Sequence, residues 1–296
     1  METIMIIMSD TLQRFVFENA PIRGEFVQLA ATWQAVTERH AYPAPLRRVL
    51  GELMAAGALL AATLKFEGTL ILQLHGSGPV KLIVVECAAG HAMRATAKWD
   101  GEIPEGNLRA LLGSGRFAIN LVPESGQQAY QGIVDLDADS VGAMLEHYMA
   151  ASEQIDTRLW LACDGVHAAG LLIQKLPERE TADADAWPRA VHLASTVQAQ
   201  ELLMLAPQVL LRRLFHEEDL RLFEPRPVYF RCSCSRERVT GMLRMLGHDE
   251  VRGVIDERGE VEVHCEFCNR RYAFDAVDAE EIFAARVAAP VEKTRH

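Results

Sequence analysis

Two short stretches near the end of the chain, "RCSCSRERV" and "HCEFCNRRY", hold four of its six cysteines. Cys232 and Cys234 form a C-x-C pair, Cys265 and Cys268 form a C-x-x-C pair, and 30 residues lie between Cys234 and Cys265. No other feature limits the fold as much, because four thiolates complete the tetrahedral shell of one zinc ion. In an extended segment residues i and i+2 face the same side, so both sulfurs of the C-x-C pair can meet one metal. A C-x-x-C turn supplies a second converging pair. The segment between them reads as two short helices and a strand, enough chain to fold the pairs together. Cys232, Cys234, Cys265 and Cys268 are therefore the expected ligands of one zinc per chain in the reduced protein.

Such a site could simply staple a module too small to build its own core. It could also be a switch. Thiolates are the oxidisable form of cysteine, each cysteine has a close neighbour to pair with, and disulfide sulfurs lack the charge zinc needs. Structural zinc is worth roughly 10–16 kcal/mol of apparent binding free energy in small domains. A whole domain is stable by only about 5–15 kcal/mol. Losing the metal is thus expected to unfold the C-terminal module, an order-to-disorder change driven by oxidation.

The rest of the composition narrows the setting. The net charge of −11 over 296 residues opposes a mainly electrostatic nucleic-acid binder, since phosphates reward a basic surface. The opening "METIMIIMSD" has no basic start and carries Glu2, a poor signal peptide; a second start at Met8 would make residues 1–7 an extension. The uncharged run Leu53–Leu64 is too short to span a bilayer and reads as a buried helix. A cytoplasmic location is expected, where thiols stay reduced and clustered cysteines point to metal or redox chemistry.

The first 175 residues alternate strand-like and helix-like patterns. "RGEFVQLA" reads as a strand leading to a helix near Thr32–His40. Leu46, Val49, Leu50, Leu53, Met54, Leu60 and Leu64 keep helical spacing, with Pro45 in the first turn. "TLILQLHG", the turn "GSGP" and "VKLIVVECA" make an antiparallel hairpin. Further strands are expected at Phe117–Val122, Tyr130–Asp135, Arg158–Cys163 and Ala168–Gln174, with a helix at Val141–Ser152. The mixed order predicts an α+β domain with a largely antiparallel sheet. The polar, acidic "KLPERETADADAW" suits a mobile linker, and Trp187–Phe223 reads as packed helix interrupted at Pro207. The expected division is an α+β core over 1–176, a linker, mobile then helical, over 177–226, and a small zinc-binding redox domain over 227–296.

Beyond the cysteines, "RGEFVQL", "LGELMAAGALLAATLKFEGTLILQLHGSGPVKLIVVE", "YQGIV", "YMAASEQIDT", "RLFHEEDLRLFEP" and "CEFCNRRYAFD" occur in this order. With the C-x-C and C-x-x-C pairs, they make the chain resemble the 33 kDa chaperonin family, the redox-regulated heat-shock holdases of bacterial cytoplasm, over nearly its whole length. The resemblance implies a protein that is inactive as a chaperone while reduced and zinc-bound. It implies disulfides Cys232–Cys234 and Cys265–Cys268 on oxidation, with release of zinc and unfolding of the zinc domain and linker. It further implies an active homodimer that holds unfolding client proteins without ATP, and is neither an enzyme nor a membrane protein. Extended i and i+2 α-carbons lie about 6.6–7 Å apart, at or beyond the limit for a disulfide. A Cys232–Cys234 bridge therefore requires the backbone to leave its extended form.

Cys87 and Cys163 sit in apolar strand-like runs and read as buried, inert thiols. His264 adjoins Cys265 but is expected to be a neighbour of the site, since four cysteines already fill it. Leu202–Phe223 could serve as client surface once the zinc module lets go, or as ordinary packing. Glu178–Asp185 reads as solvated linker. "SEQID" at Ser152–Asp156 has no nucleophile–base partner, and "GSGP" lacks the lysine and helix of a phosphate loop. Two rival readings differ in kind. The basic "NRRY" at Asn269–Tyr272 motivates a zinc-ribbon nucleic-acid-binding regulator, against which stand the overall acidity and the lack of an aromatic–basic stripe. A thiol oxidoreductase using Cys265 and Cys268 would need its motif to open a helix in a βαβ unit, which this sequence does not offer.

Overall fold

The computed structural model describes residues 10–64, 67–177 and 183–284. The possible extension before Met8 lies outside these residues, as does most of the acidic stretch Glu178–Asp185. The chain divides into two compact units, Met1–Arg231 and Cys232–His296.

In the first unit β1 (Thr11–Phe17) and β2 (Ile22–Leu29) precede α1 (Ala31–Thr37) and α2 (Ala44–Thr63). A meander of β3 (Gly68–Gly76), β4 (Val80–Ala88) and β5 (Ala92–Trp99) follows, then α3 (Leu108–Leu112), β6 (Gly115–Pro123) and β7 (Tyr130–Asp135). Next come α4 (Val141–Tyr148), β8 (Thr157–Cys163) and β9 (Ala168–Lys175). Three helices follow, α5 (Ala186–Ala194), α6 (Ala199–Met204) and α7 (Pro207–Leu214). The short strands β10 (Leu220–Leu222), β11 (Arg226–Pro227) and β12 (Tyr229–Phe230) end the unit.

One sheet runs β10-β1-β2-β9-β8, with β11 also on β1; the other runs β12-β5-β4-β3-β6-β7. Every pairing in them is antiparallel except β12 with β5, so the α+β class with a largely antiparallel sheet holds. Helix α2 lies against strands of both sheets, and 14 of its 20 residues are buried. That explains why its sequence is apolar on nearly every side: a helix with two sheet neighbours has almost no solvent face. Gly51 permits the contact with β8, since a Cβ there would meet the Cys163 sulfur at 2.5 Å. Asp10 supplies the cap that Ala30 cannot give α1. Its carboxylate accepts the backbone N–H groups of Ala30 at 2.7 Å, Ala31 at 3.1 Å and Thr32 at 2.5 Å.

The second face of the first sheet carries its own core. Phe15, Phe26 and Leu171 pack with Leu202, Leu203, Leu210, Leu211 and Leu214 of α6 and α7. The ring of Phe15 crosses directly over Gly24, where a Cβ would stand 2.1 Å from it. Trp187–Phe223 is thus helical and packed only in part. Helix breaks separate α5, α6 and α7, and the final residues pair as β10, because Leu220 and Leu222 find a strand edge on β1. The expected helix Val141–Ser152 is α-helical only to Tyr148; Met149–Glu153 forms a π turn closed by Gln154 at φ 55°.

A candidate metal centre

The second unit contains α8 (Arg236–Leu246), α9 (His248–Arg258), β13 (Val261–His264), β14 (Arg271–Phe274) and α10 (Ala276–Ala284). Its core is small: Leu243, Val251, Ile255, Val261, Tyr272 and Phe274, with Ala279 and Ile282. Such a core rarely holds a module of this size alone.

Each cysteine pair is placed by local backbone chemistry. Cys232 and Cys234 lie just before α8, whose N-cap Ser235 accepts the Arg238 N–H at 3.3 Å. Cys265–Cys268 forms the turn between the paired strands β13 and β14. The Asn269 N–H closes that turn onto the Cys265 carbonyl at 2.7 Å, and Asn269 takes the left-handed φ of 56° that asparagine tolerates. Arg236 ties α8 to the hairpin and α10. It donates to the Ala273 carbonyl at 2.9 Å, pairs with Asp278 at 2.7 Å, and lies 4.2 Å over the Phe274 ring.

These elements bring all four predicted sulfurs within 4.8 Å of one another, and all six cysteines are unbridged thiols. The Cys232 and Cys265 sulfurs are 3.7 Å apart and those of Cys234 and Cys268 3.3 Å. Four sulfurs about 2.3 Å from a central zinc define a tetrahedron with edges of about 3.8 Å. The donor set therefore fits a zinc-sized ion with soft ligands.

One participant was not anticipated. Tyr272, buried on β14, donates its hydroxyl to the Cys234 sulfur at 3.1 Å. Partial burial alone would raise the Cys234 thiol, but Tyr272 and the neighbouring thiols bring it down to about 7. Burial raises Cys265 and Cys268 instead, and the bond to Cys234 raises Tyr272 to about 12. Tyr272 sits in "NRRY", where only the arginines drew notice. Those arginines are engaged: Arg271 pairs with Glu260 and with Glu262 at 2.7 Å, and Arg270 lies 5.8 Å from the Tyr272 ring centre.

His264 is not among the four-sulfur group. It meets Glu262 at 2.5 Å, which raises its pKa. Cys87 is buried in β4 and Cys163 half-buried in β8; burial pushes each thiol up to about 12. Such burial disfavours the thiolate, the reactive form of cysteine. Among the described residues, no helix is long and apolar enough to cross a membrane.

A two-sheet α+β unit followed by a small module with four converging thiols is the architecture of a two-part protein with a candidate four-sulfur metal centre in its smaller part. The sequence profile described as Hsp33 protein matches residues 10–275. The 33 kDa chaperonin of Methylobacillus flagellatus is 50% identical over 98% of this chain and 99% of its own. That of Chromobacterium violaceum is 52% identical over 97% and 98%. The crystal structure of the Thermotoga maritima 33 kDa chaperonin matches in fold, with a TM-score of 0.83 at 22% identity, covering 94% of this chain and 99% of that one. The chain belongs to the Hsp33 family of 33 kDa chaperonins.

Proposed function

We propose that this protein is a redox-regulated, ATP-independent holdase that binds unfolding proteins during oxidative stress. The carrying observation is that four thiols converge in a unit whose described residues form only a small core. Cys232, Cys234, Cys265 and Cys268 would hold one zinc per reduced chain, which there supplies the cross-link between the start of α8 and the β13–β14 turn.

The switching chemistry belongs to the sulfurs. A thiolate attacks hydrogen peroxide, forming a sulfenic acid and releasing hydroxide; a second thiolate then attacks that sulfur and displaces hydroxide. Two protons convert both hydroxides to water, so two thiolates are oxidised as one peroxide is reduced. The proposed bridges are Cys232–Cys234 and Cys265–Cys268. The two nearest sulfur contacts named above run between the motifs instead, which fits bridges that close as the module loosens. Oxidised sulfurs no longer serve as charged donors, and the small core is left without its cross-link.

The proposed linker, 177–226, includes α5–α7. Their apolar face covers Phe15, Phe26 and Leu171, so releasing them would uncover a client-sized surface. The proposal includes a homodimeric active form, a cytoplasmic location and no catalytic turnover.

The test titrates the reduced, zinc-loaded protein with hydrogen peroxide at raised temperature while following metal release and aggregation of a thermally unfolding client. Both responses should rise together and reverse with reductant and zinc. Zinc release without any effect on aggregation would reduce the site to a staple.

A further inference from the structure

The first unit contains a second site, remote in sequence from the cysteines. Beside the C-terminal end of α2 lies a cavity of about 360 Å³, within the size range of ligand pockets. Its walls are apolar: Leu60, Ile119, Leu121, Met149 and Ile155. Two charged side chains line it, Arg23 from β2 and Glu153 from the π turn.

Both charges are held in place by hydrogen bonds from neighbouring side chains. The Arg23 guanidinium donates to the Gln174 side-chain oxygen through Nε at 3.0 Å and Nη2 at 2.6 Å, and to the Thr63 carbonyl at 3.3 Å. Gln174 is fully buried and donates in turn to the Thr157 hydroxyl at 3.0 Å. Glu153 accepts from Tyr148 at 2.9 Å and from Tyr130 at 3.1 Å through the same carboxylate oxygen. Buried Thr157 and Gln174 thus fix the orientation of the half-buried Arg23 guanidinium at the cavity wall. The π turn, with Gln154 at φ 55°, is the local distortion that brings Glu153 to the rim; such turns concentrate at functional sites.

From this geometry we propose that the cavity receives one apolar residue of an extended polypeptide. The aliphatic or aromatic side chain lies among Leu60, Ile119 and Met149. Its carbonyl oxygen accepts from Arg23, and its backbone N–H donates to Glu153. A neutral peptide unit offers this acceptor and donor side by side, matching a cation and an anion that line one cavity, whereas a simple anion or cation would be attracted by one and repelled by the other. In biological meaning the inference rests on the holdase reading, and it identifies a contact made by the rigid unit rather than by the switch. One residue's worth of contact is too little to hold a client alone, so the site is open in the reduced state without making that state a chaperone.

The test uses the reduced, zinc-loaded full-length protein and a capped, fluorescein-labelled octapeptide of alternating leucine and serine, followed by fluorescence polarisation and methyl NMR. The methyl signals of Ile119, Leu121 and Met149 should shift on titration. Leu121→Trp, which fills the cavity, should weaken binding at least tenfold, and Glu153→Gln about threefold, with thermal midpoints near wild type. Wild-type affinity in both variants, or unmoved methyl signals, overturns the proposal. Displacement by free leucine at the peptide's own concentration overturns the polypeptide occupant, since a zwitterion would then be the better ligand. Oxidised wild-type protein is assayed for suppression of aggregation in parallel. Failure there sinks the holdase reading, while the peptide titration still reports on the pocket.

Discussion

The two units are stabilised by different means. The first is held by area: α2 is buried between two sheets, and α5–α7 cover a second core on the far side of one of them. Among its described residues the second has eight buried core residues and four converging sulfurs. Removing one contact from the first unit leaves many others, whereas on the proposed reading the second would depend on a single cross-link that chemistry can cut. A protein that must stay folded while part of it responds to oxidant gains from keeping these two sources of stability apart.

The strongest way to break the contrast is to strip metal from the reduced protein with a chelator. Amide exchange should then rise by several orders of magnitude across 232–284 while α2 and the strands beside it keep their protection, because roughly 10–16 kcal/mol of apparent binding energy is withdrawn from one unit alone. Equal loss of protection in both units would show one cooperative structure. The converse perturbation is Leu53→Ala, at a fully buried position of α2. It should cost the first unit about 2–5 kcal/mol in denaturant unfolding and leave zinc affinity, read by competition with a chromophoric chelator, unchanged.

A pH experiment sharpens the distinction further. Burial raises the Glu25 carboxyl to about 7 despite Arg23 and Arg14 nearby. A raised acid binds its proton more tightly in the folded state, so this contribution favours folding at low pH and fades as pH rises from about 4.5 to 7. Glu25→Gln should flatten that slope, by up to about 3 kcal/mol, in unfolding measured between pH 4.5 and 8. An unchanged slope would show that Glu25 titrates normally. In the second unit, Tyr272→Phe should lower zinc affinity about tenfold, the usual size of effect when a hydrogen bond to a ligand is lost, with helix content retained. Smallest is Arg236→Gln, which removes a half-exposed ion pair and should cost about 0.5–1 kcal/mol in thermal unfolding of the second unit.

The cysteine cluster was legible because chemistry, not packing, dictates its spacing. The long helix α2 and the β3–β4 hairpin were legible because their periods are strong and their turns carry glycine and proline. β5 was missed although Met93–Trp99 alternates apolar with polar residues, because its two alanines make a weak strand signal and its place is decided by pairing with β4. β11 and β12, at two residues each, are too short to show any period and exist only through their partners. Tyr272 escaped notice because its partner sulfur is 38 residues away. The π turn escaped because helical spacing is nearly the same until the backbone slips by one residue.

Between α7 and Cys232 the chain is fastened by three strands of three, two and two residues. The last fastening is the Arg231 N–H bonded to the Met93 carbonyl at 3.0 Å, one residue before Cys232. Any tension from an unravelling C-terminal unit would reach these stitches in turn: β12, then β11, then β10, before it touches α7. On the proposed switch reading the seam would therefore open from its C-terminal end towards the helices.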